Sequence, residues 1–146
     1  MKIRLMTMKD YREVYQLWLS CKGMGLNTID DSEEGINRFL MRNPDTCFVA
    51  ENGDKLVGAV IVGNDGRRGY IYHMAVLPDY RHQGIATQLV DTAMDALHRI
   101  GIIKAALVVF GSNETGNAFW ENMGFTKRND LVYRNKAFSE IERIDT

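Results

Sequence analysis

Proline is scarce, with only Pro44 and Pro78 in 146 residues, and this excludes a proline-rich linker or low-complexity tract. Cysteine is equally scarce. Cys21 and Cys47 lack CxxC or metal-ligand spacing, so a disulfide framework and a zinc site are excluded, and both read as reduced, buried thiols. No apolar run approaches the ~20 residues of a membrane helix. The opening MKIRLMTMKD has no apolar signal-peptide region. The expectation is a cytoplasmic protein with no membrane partner. An excess of one charge is also missing: 18 Lys and Arg against 19 Asp and Glu leave a net charge of −1. With no basic stripe interleaved with aromatics, no nucleic-acid partner is expected. What is present is ordinary, with 45% apolar and 25% charged residues. The length suits a single domain, 1–146, able to bury a core without staples.

Periodicity orders the chain. Residues 2–6 alternate as a strand, and Tyr11, Val14, Tyr15 and Trp18 form one helical stripe within 8–21. The glycine-containing loop KGMGLNTIDD covers 22–31. Ser32 reads as the N-cap of a second helix, with Glu33 and Glu34 suited to its first turn. Residues 46–51 and 55–63 form a hairpin through Asn52-Gly53, and 69–76 is a fourth strand. An amphipathic helix through Ile85, Leu89, Ala93 and Leu97 ends at Gly101. Residues 103–110 are nearly all apolar and predict a central strand buried on both faces. A short helix over 115–123 stops at Gly124, and strands over 125–127 and 131–135 close the chain. The order β-α-α-β-β-β-α-β-α-β-β predicts an α/β domain with a mixed sheet.

One stretch carries chemistry: AVLPDYRHQGIATQLV, residues 75–90. A helix N-terminus leaves backbone N–H groups unpaired and partly positive, and a glycine there lets an anion approach. Gly84 and Ala86 keep side-chain bulk away, and Arg81 adds charge. There is no GxGxxG and no GxxxxGK[ST], so neither a dinucleotide fold nor an ATP-hydrolysing loop is supported. A metal-free diphosphate cradle remains. The plainer alternative is a basic turn before a helix that starts with small residues.

The pattern R-x-x-G-x-A after MAVLP, together with LVVFGSNETGNAFWENMGF over 107–125, resembles the GNAT superfamily of acyl-CoA N-acyltransferases. The likeness covers nearly the whole element order and extends to bacterial members of unassigned substrate. It implies an α/β (α+β) fold with a mixed, mostly antiparallel sheet of about seven strands and about four helices. It implies an N-acetyltransferase using acetyl-CoA as co-substrate, without a metal. The CoA diphosphate would lie on the amides of Arg81, His82, Gln83, Gly84, Ile85, Ala86 and Thr87. Met74, Ala75 and Val76 would pair with the pantetheine arm, and an amide there would polarise the thioester carbonyl. A donor of that kind is typically worth ~3–4 kcal/mol to the transition state. Asn113 matches the family asparagine that binds pantetheine, although a helix cap is its plainer role. Phe119 and Trp120 stand where the family lines the cofactor with rings.

Trp120 departs from the family, many of whose members have there a tyrosine proposed to protonate the leaving thiolate. An indole donates a hydrogen bond but does not titrate near neutrality. Tyr133 is the candidate acid by resemblance, with Tyr70 and Tyr72 as others. A base is also needed, because an alkylammonium titrates at about 10 and attacks only after losing a proton. His73 is the conventional base in the fourth strand. Strict alternation places it with Ile71, opposite Tyr70, Tyr72 and Met74, unless a bulge intervenes. The alternative is a histidine that is only hydrogen-bonded on the sheet.

By resemblance, the 22–31 loop borders the acceptor, a small-molecule amine or a peptide or protein amine. Asp30 and Asp31 would attract a cation or cap the second helix, and Met24 and Leu26 would offer apolar contact. The resemblance also allows a homodimer by exchange of the short C-terminal strands. Two rivals remain: a non-catalytic CoA-binding sensor or interaction module on the same fold, and a loop that binds some other phosphate.

Overall fold

The computed structural model describes residues 1–144. Four strands, β1 (Lys2–Leu5), β2 (Phe48–Asn52), β3 (Lys55–Asn64) and β4 (Gly69–Val76), pair antiparallel in chain order. β5 (Ala105–Ala106) joins β4 in parallel, after the chain crosses over through helix α3 (Ile85–Arg99). Such a crossover is required to bring two parallel strands together. Gly53 turns the β2–β3 hairpin at φ +63°, as the Asn-Gly signal predicts. β3 is buried along eight consecutive residues and forms the spine of the sheet.

Each face of the sheet carries its own core. On one, Val57, Val60, Val62 and Ile71 pack with Leu89, Val90, Ala93 and Leu97 of α3 and with Trp120 of α4 (Glu114–Asn122). On the other, Val49, Ala59, Ile61 and Ala75 pack with α1 (Tyr11–Leu19) through Val14, Leu17 and Trp18, and with α2 (Glu33–Arg42) through Ile36 and Leu40. Gly69 lets α3 come close, since a Cβ there would stand 2.5 Å from Leu97 Cδ1.

Local signals explain the helix starts. A short 3-10 turn, Met8–Asp10, precedes α1, and the Asp10 carboxylate accepts from Thr7 N–H at 2.9 Å. Arg4 grips that carboxylate through both terminal nitrogens, at 2.9 and 2.7 Å, and also pairs with Glu51. Ser32 Oγ caps α2 by accepting from Gly35 N–H at 3.0 Å. Cys21 and Cys47 are buried free thiols, and burial pushes Cys47 up to about 12.

The C-terminal third departs from expectation. The sheet has five strands among the described residues, not about seven. β5 is two residues long and is not buried on both faces. From 105 to 110, half-buried Ala105, Leu107 and Val109 alternate with exposed Ala106, Val108 and Phe110. The inward residues meet the α3-side core, and the other face of this segment is left exposed at Ala106, Val108 and Phe110. The strands expected over 125–127 and 131–135 do not form. Phe125 N–H instead closes the end of α4 on Trp120 O at 2.9 Å. Leu131, Val132 and Tyr133 are 63, 76 and 67% exposed. A strand exists only where a neighbouring edge takes its hydrogen bonds, and the backbone of 142–144 is tied to the α1–α2 loop instead. Thr28 N–H donates to Glu142 O at 3.0 Å and Ile144 N–H to Leu26 O at 2.8 Å. Among the described residues, no helix is long and apolar enough to cross a membrane.

Candidate active site

The register of β4 places the site. Tyr72 pairs with Ile61 and Ala75 with Ala59, so His73 and Met74 together stand opposite Val60. This is a bulge, and His73 absorbs it at φ +46°, a region L residues seldom occupy. Alternation therefore breaks. Ile71, Met74 and Val76 meet the α3-side core, whereas Ala75 meets the α1–α2 side. Tyr72 stacks edge-on with Phe39 of α2, and His73 with Trp18 of α1. His73 thus shares a face with Tyr72 and not with Ile71.

β4 also has an open edge. Its parallel pairing with β5 covers only Gly69 and Tyr70. Leu77 N–H donates to Val57 O at 2.8 Å. Backbone groups alternate along a strand, so those of Ala75 face β3 and those of Met74 and Val76 face the edge that β5 has left. On that side, Val76 O already accepts from Arg81 Nε at 3.2 Å and from Cys21 Sγ at 3.6 Å. The Arg81 guanidinium is therefore tied back to the end of β4, with Nη2 3.5 Å from Cys21 Sγ.

Beyond that edge lies the start of α3. After a 3-10 turn, Pro78–Tyr80, His82 takes φ +63° and Gly84 φ +82°. Left-handed residues in such turns shape concave nests of N–H groups that bind anions. No side chain caps α3, and the first amide bonded within it is Gln88 N–H on Gly84 O, at 3.0 Å. The amides of Ile85, Ala86 and Thr87 have no acceptor among the described residues. By contrast, α2 and α4 are capped by Ser32 and Asn113. Nothing lies within 4 Å of where a Gly84 Cβ would stand, so the cradle opens outward.

Asn113 Oδ1 accepts from Gly116 N–H at 2.9 Å, which fulfils the plainer role of helix cap. Its amide nitrogen makes no hydrogen bond to the described residues. Phe119 is half-buried, and Trp120 sits in the core between Phe119 and Phe125, with ring centroids 4.9 and 5.2 Å away.

The α1–α2 side of β4 holds the titratable groups. His73 Nε2 lies 2.7 Å from Oδ1 of Asp31, which is buried. Asp31 therefore neither caps α2 nor faces solvent to attract a cation. Its other oxygen accepts from Asn27 N–H at 2.9 Å, and its carbonyl accepts from the Tyr11 hydroxyl at 2.7 Å. Trp18, fully buried, has its ring centroid 4.9 Å from that of His73, and its indole N–H finds no acceptor among the described residues. Tyr70 and Tyr72 stack at 4.7 Å. Burial, and then the neighbouring Tyr133, hold both phenols above their usual value; Tyr72 also feels Asp30. Tyr133, which lies on no strand and is exposed, acts on both through its charge alone. The sequence could not show Asp31 and Trp18 as partners of His73. Asp31 is 42 positions away, and Trp18 reads as one more residue of an apolar stripe. Among the described residues, no three His, Cys, Asp or Glu side chains cluster to hold a metal ion.

Residues 11–125 match the Acetyltransferase (GNAT) family. The chain is 34% identical over 140 residues to an acetyltransferase of Sodalis glossinidius, covering 96% of this chain and 97% of the relative. Among solved structures, Ard1 from Thermoplasma volcanium superimposes with a TM-score of 0.77 at 19% identity, over 86% of this chain and 82% of the other. The PaiA N-acetyltransferase from Thermoplasma acidophilum, in complex with coenzyme A, gives 0.73 at 16%, over 84% and 87%. An open β4 edge beside an uncapped helix start thus occurs in a chain that belongs to the GNAT acetyltransferase family and is an acyltransferase.

Proposed function

We propose that this protein transfers an acetyl group from acetyl-CoA to a primary amine by direct attack of the amine nitrogen on the thioester carbonyl. The observation that carries this is the uncapped first turn of α3 next to the unpaired edge of β4. The amides of residues 82–87 suit a diphosphate, and Gly84 leaves the approach clear. The edge groups of Met74 and the N–H of Val76 suit an extended amide-bearing arm, whereas Val76 O is already held by Arg81, and the free amide of Asn113 offers a further donor. Bound there, acetyl-CoA supplies an activated acyl carbon and a thiolate leaving group.

The chain's own residues handle the protons. His73, half-buried on the α1–α2 face, takes a proton from the acceptor ammonium. The amine nitrogen then bonds to the acyl carbon, and the carbon–sulfur bond breaks. In balance, one ammonium proton ends on the CoA sulfur and one reaches solvent through His73. Tyr70, Tyr72 and Tyr133 are the candidate proton donors, and the Tyr72 ring centroid lies 6.4 Å from that of His73. Their raised titration keeps Tyr70 and Tyr72 protonated at neutrality and able to donate. Trp120 serves packing, not acid catalysis.

Two measurements test this. Calorimetry with CoA in EDTA should show binding that Gly84→Trp abolishes. Thiol release from acetyl-CoA with a panel of primary amines should show turnover. Tight CoA binding with no turnover on any amine would replace the enzyme reading with that of a CoA sensor.

A further inference from the structure

We infer that Asp31 is a positioning residue of the transfer site: its carboxylate fixes the tautomer of His73, leaving Nδ1 as the nitrogen that takes the acceptor's proton. This rests on the amine-transfer reading above and adds to it a residue and an atom.

The geometry decides which ring nitrogen carries the hydrogen. Asp31 is buried, and both its oxygens are engaged. Oδ2 faces Asn27 N–H at 2.9 Å, and a backbone amide can only donate. Oδ1 faces His73 Nε2 at 2.7 Å. A carboxylate has no proton to give, so Nε2 must donate. A neutral imidazole with its proton on Nε2 holds its lone pair on Nδ1. That atom makes no hydrogen bond to any described residue, yet it is not among the buried, unpartnered nitrogens.

Other contacts keep the pair from drifting. The Trp18 ring packs edge-on against the imidazole at 4.9 Å. The Tyr11 hydroxyl holds the Asp31 carbonyl at 2.7 Å. The bulge backbone of His73, at φ +46°, persists only where its surroundings enforce it. When Nδ1 accepts a proton, the imidazolium meets an anion already in place, and the hydrogen bond becomes charge-assisted at both ends.

Asp31→Asn makes the sharpest variant. An amide side chain has one oxygen, and Asn27 N–H can be satisfied only by that oxygen. The NH2 group then faces His73 Nε2, which must become an acceptor, and the ring proton moves to Nδ1. The expected results are read in two arms. Ring-15N NMR of the full chain resolves three histidines, with His73 assigned through His73→Gln. Wild type should carry the proton on Nε2, and Asp31→Asn on Nδ1. In the second arm, thiol release with the primary-amine panel should show kcat falling about 10²–10⁴-fold in Asp31→Asn. The KM for acetyl-CoA should not change.

A proton on Nδ1 in wild type overturns the inference without any variant, so a misfolded Asp31→Asn does not leave it standing. An unchanged kcat in a folded Asp31→Asn also overturns it. If wild type shows the Nε2 proton but turns over no amine, the amine-transfer reading fails and takes this role for Asp31 with it, and the NMR arm shows that the pair geometry was not the cause.

Discussion

Gly84 sits at φ +82° with open space where a Cβ would project. Alanine there meets no clash, only the left-handed backbone, which costs an L residue roughly 1–2 kcal/mol. Gly84→Ala should therefore lower unfolding free energy by about that much while still binding CoA. Gly84→Trp should lose far more CoA affinity than stability, because its ring occupies the cradle. Urea titration and calorimetry on the same samples separate the two effects. Asp10 gives a second test. Burial alone would push its carboxyl up, but the Arg4 guanidinium and Thr7 N–H outweigh burial and hold it below the usual value. A carboxyl whose folded value is depressed contributes stability above its unfolded value of about 3.9, and loses it as pH falls through the folded one. Asp10→Asn should thus cost roughly 1.5–3 kcal/mol at pH 7, the range for hydrogen bonds to a charged group. The gap to wild type should narrow in acid, below pH ~3.9. Urea melts at several pH values give both curves; a gap independent of pH would show that the charge of Asp10 is not what holds the turn.

At the scale of elements, α4 tests whether one side chain serves both fold and ligand. Asn113 Oδ1 caps the helix, and its Nδ2 has no partner among the described residues. Asn113→Ala removes both functions and should cost about 0.5–2 kcal/mol, as helix caps do. Asn113→Asp keeps a capping oxygen and loses only the donor. It should melt close to wild type yet bind CoA more weakly, and equal affinity would confine Asn113 to capping. The helices are the elements most legible in the sequence, because caps and stops are local chemistry: Ser32 starts α2, and Gly101 and Gly124, at φ +91° and +90°, follow the ends of α3 and α4. β5 and the C-terminal strands were less legible. Apolar residues over 103–110 and the apolar run Leu131–Tyr133 report a readiness to pair, not which edge is available. The facing of His73 was hidden for a related reason. A bulge adds one residue against the partner strand, and nothing in GYIYHMAV marks which residue will take the positive φ.

Across the whole molecule, the site exists because two packed halves meet at one strand. α3 lies on one face of β4, with its uncapped start beyond the strand's end. α1, the 22–31 loop and Asp31 lie on the other face, joined to β4 through His73. The proposed diphosphate cradle and the candidate base thus stand on opposite faces, and an acyl group could reach from one to the other only past the edge that β5 leaves open after Tyr70. This separation predicts a pattern of hydrogen exchange. In the free protein, the amides of residues 85–87 should exchange fast, since no acceptor protects them, while those paired between β2 and β3 exchange slowly. Saturating CoA, at about 100 times Kd, adds about 2.7 kcal/mol of stability to the whole chain. Locally, protection should rise most at 84–87 and next at Met74 and Val76, whose groups face the open edge. Ala75, already turned toward β3, should gain little beyond the global effect. EDTA should change none of this, because the donors are backbone amides. If CoA instead protects the α1–α2 loop first and leaves 84–87 fast, the diphosphate is bound elsewhere and the cradle assignment fails.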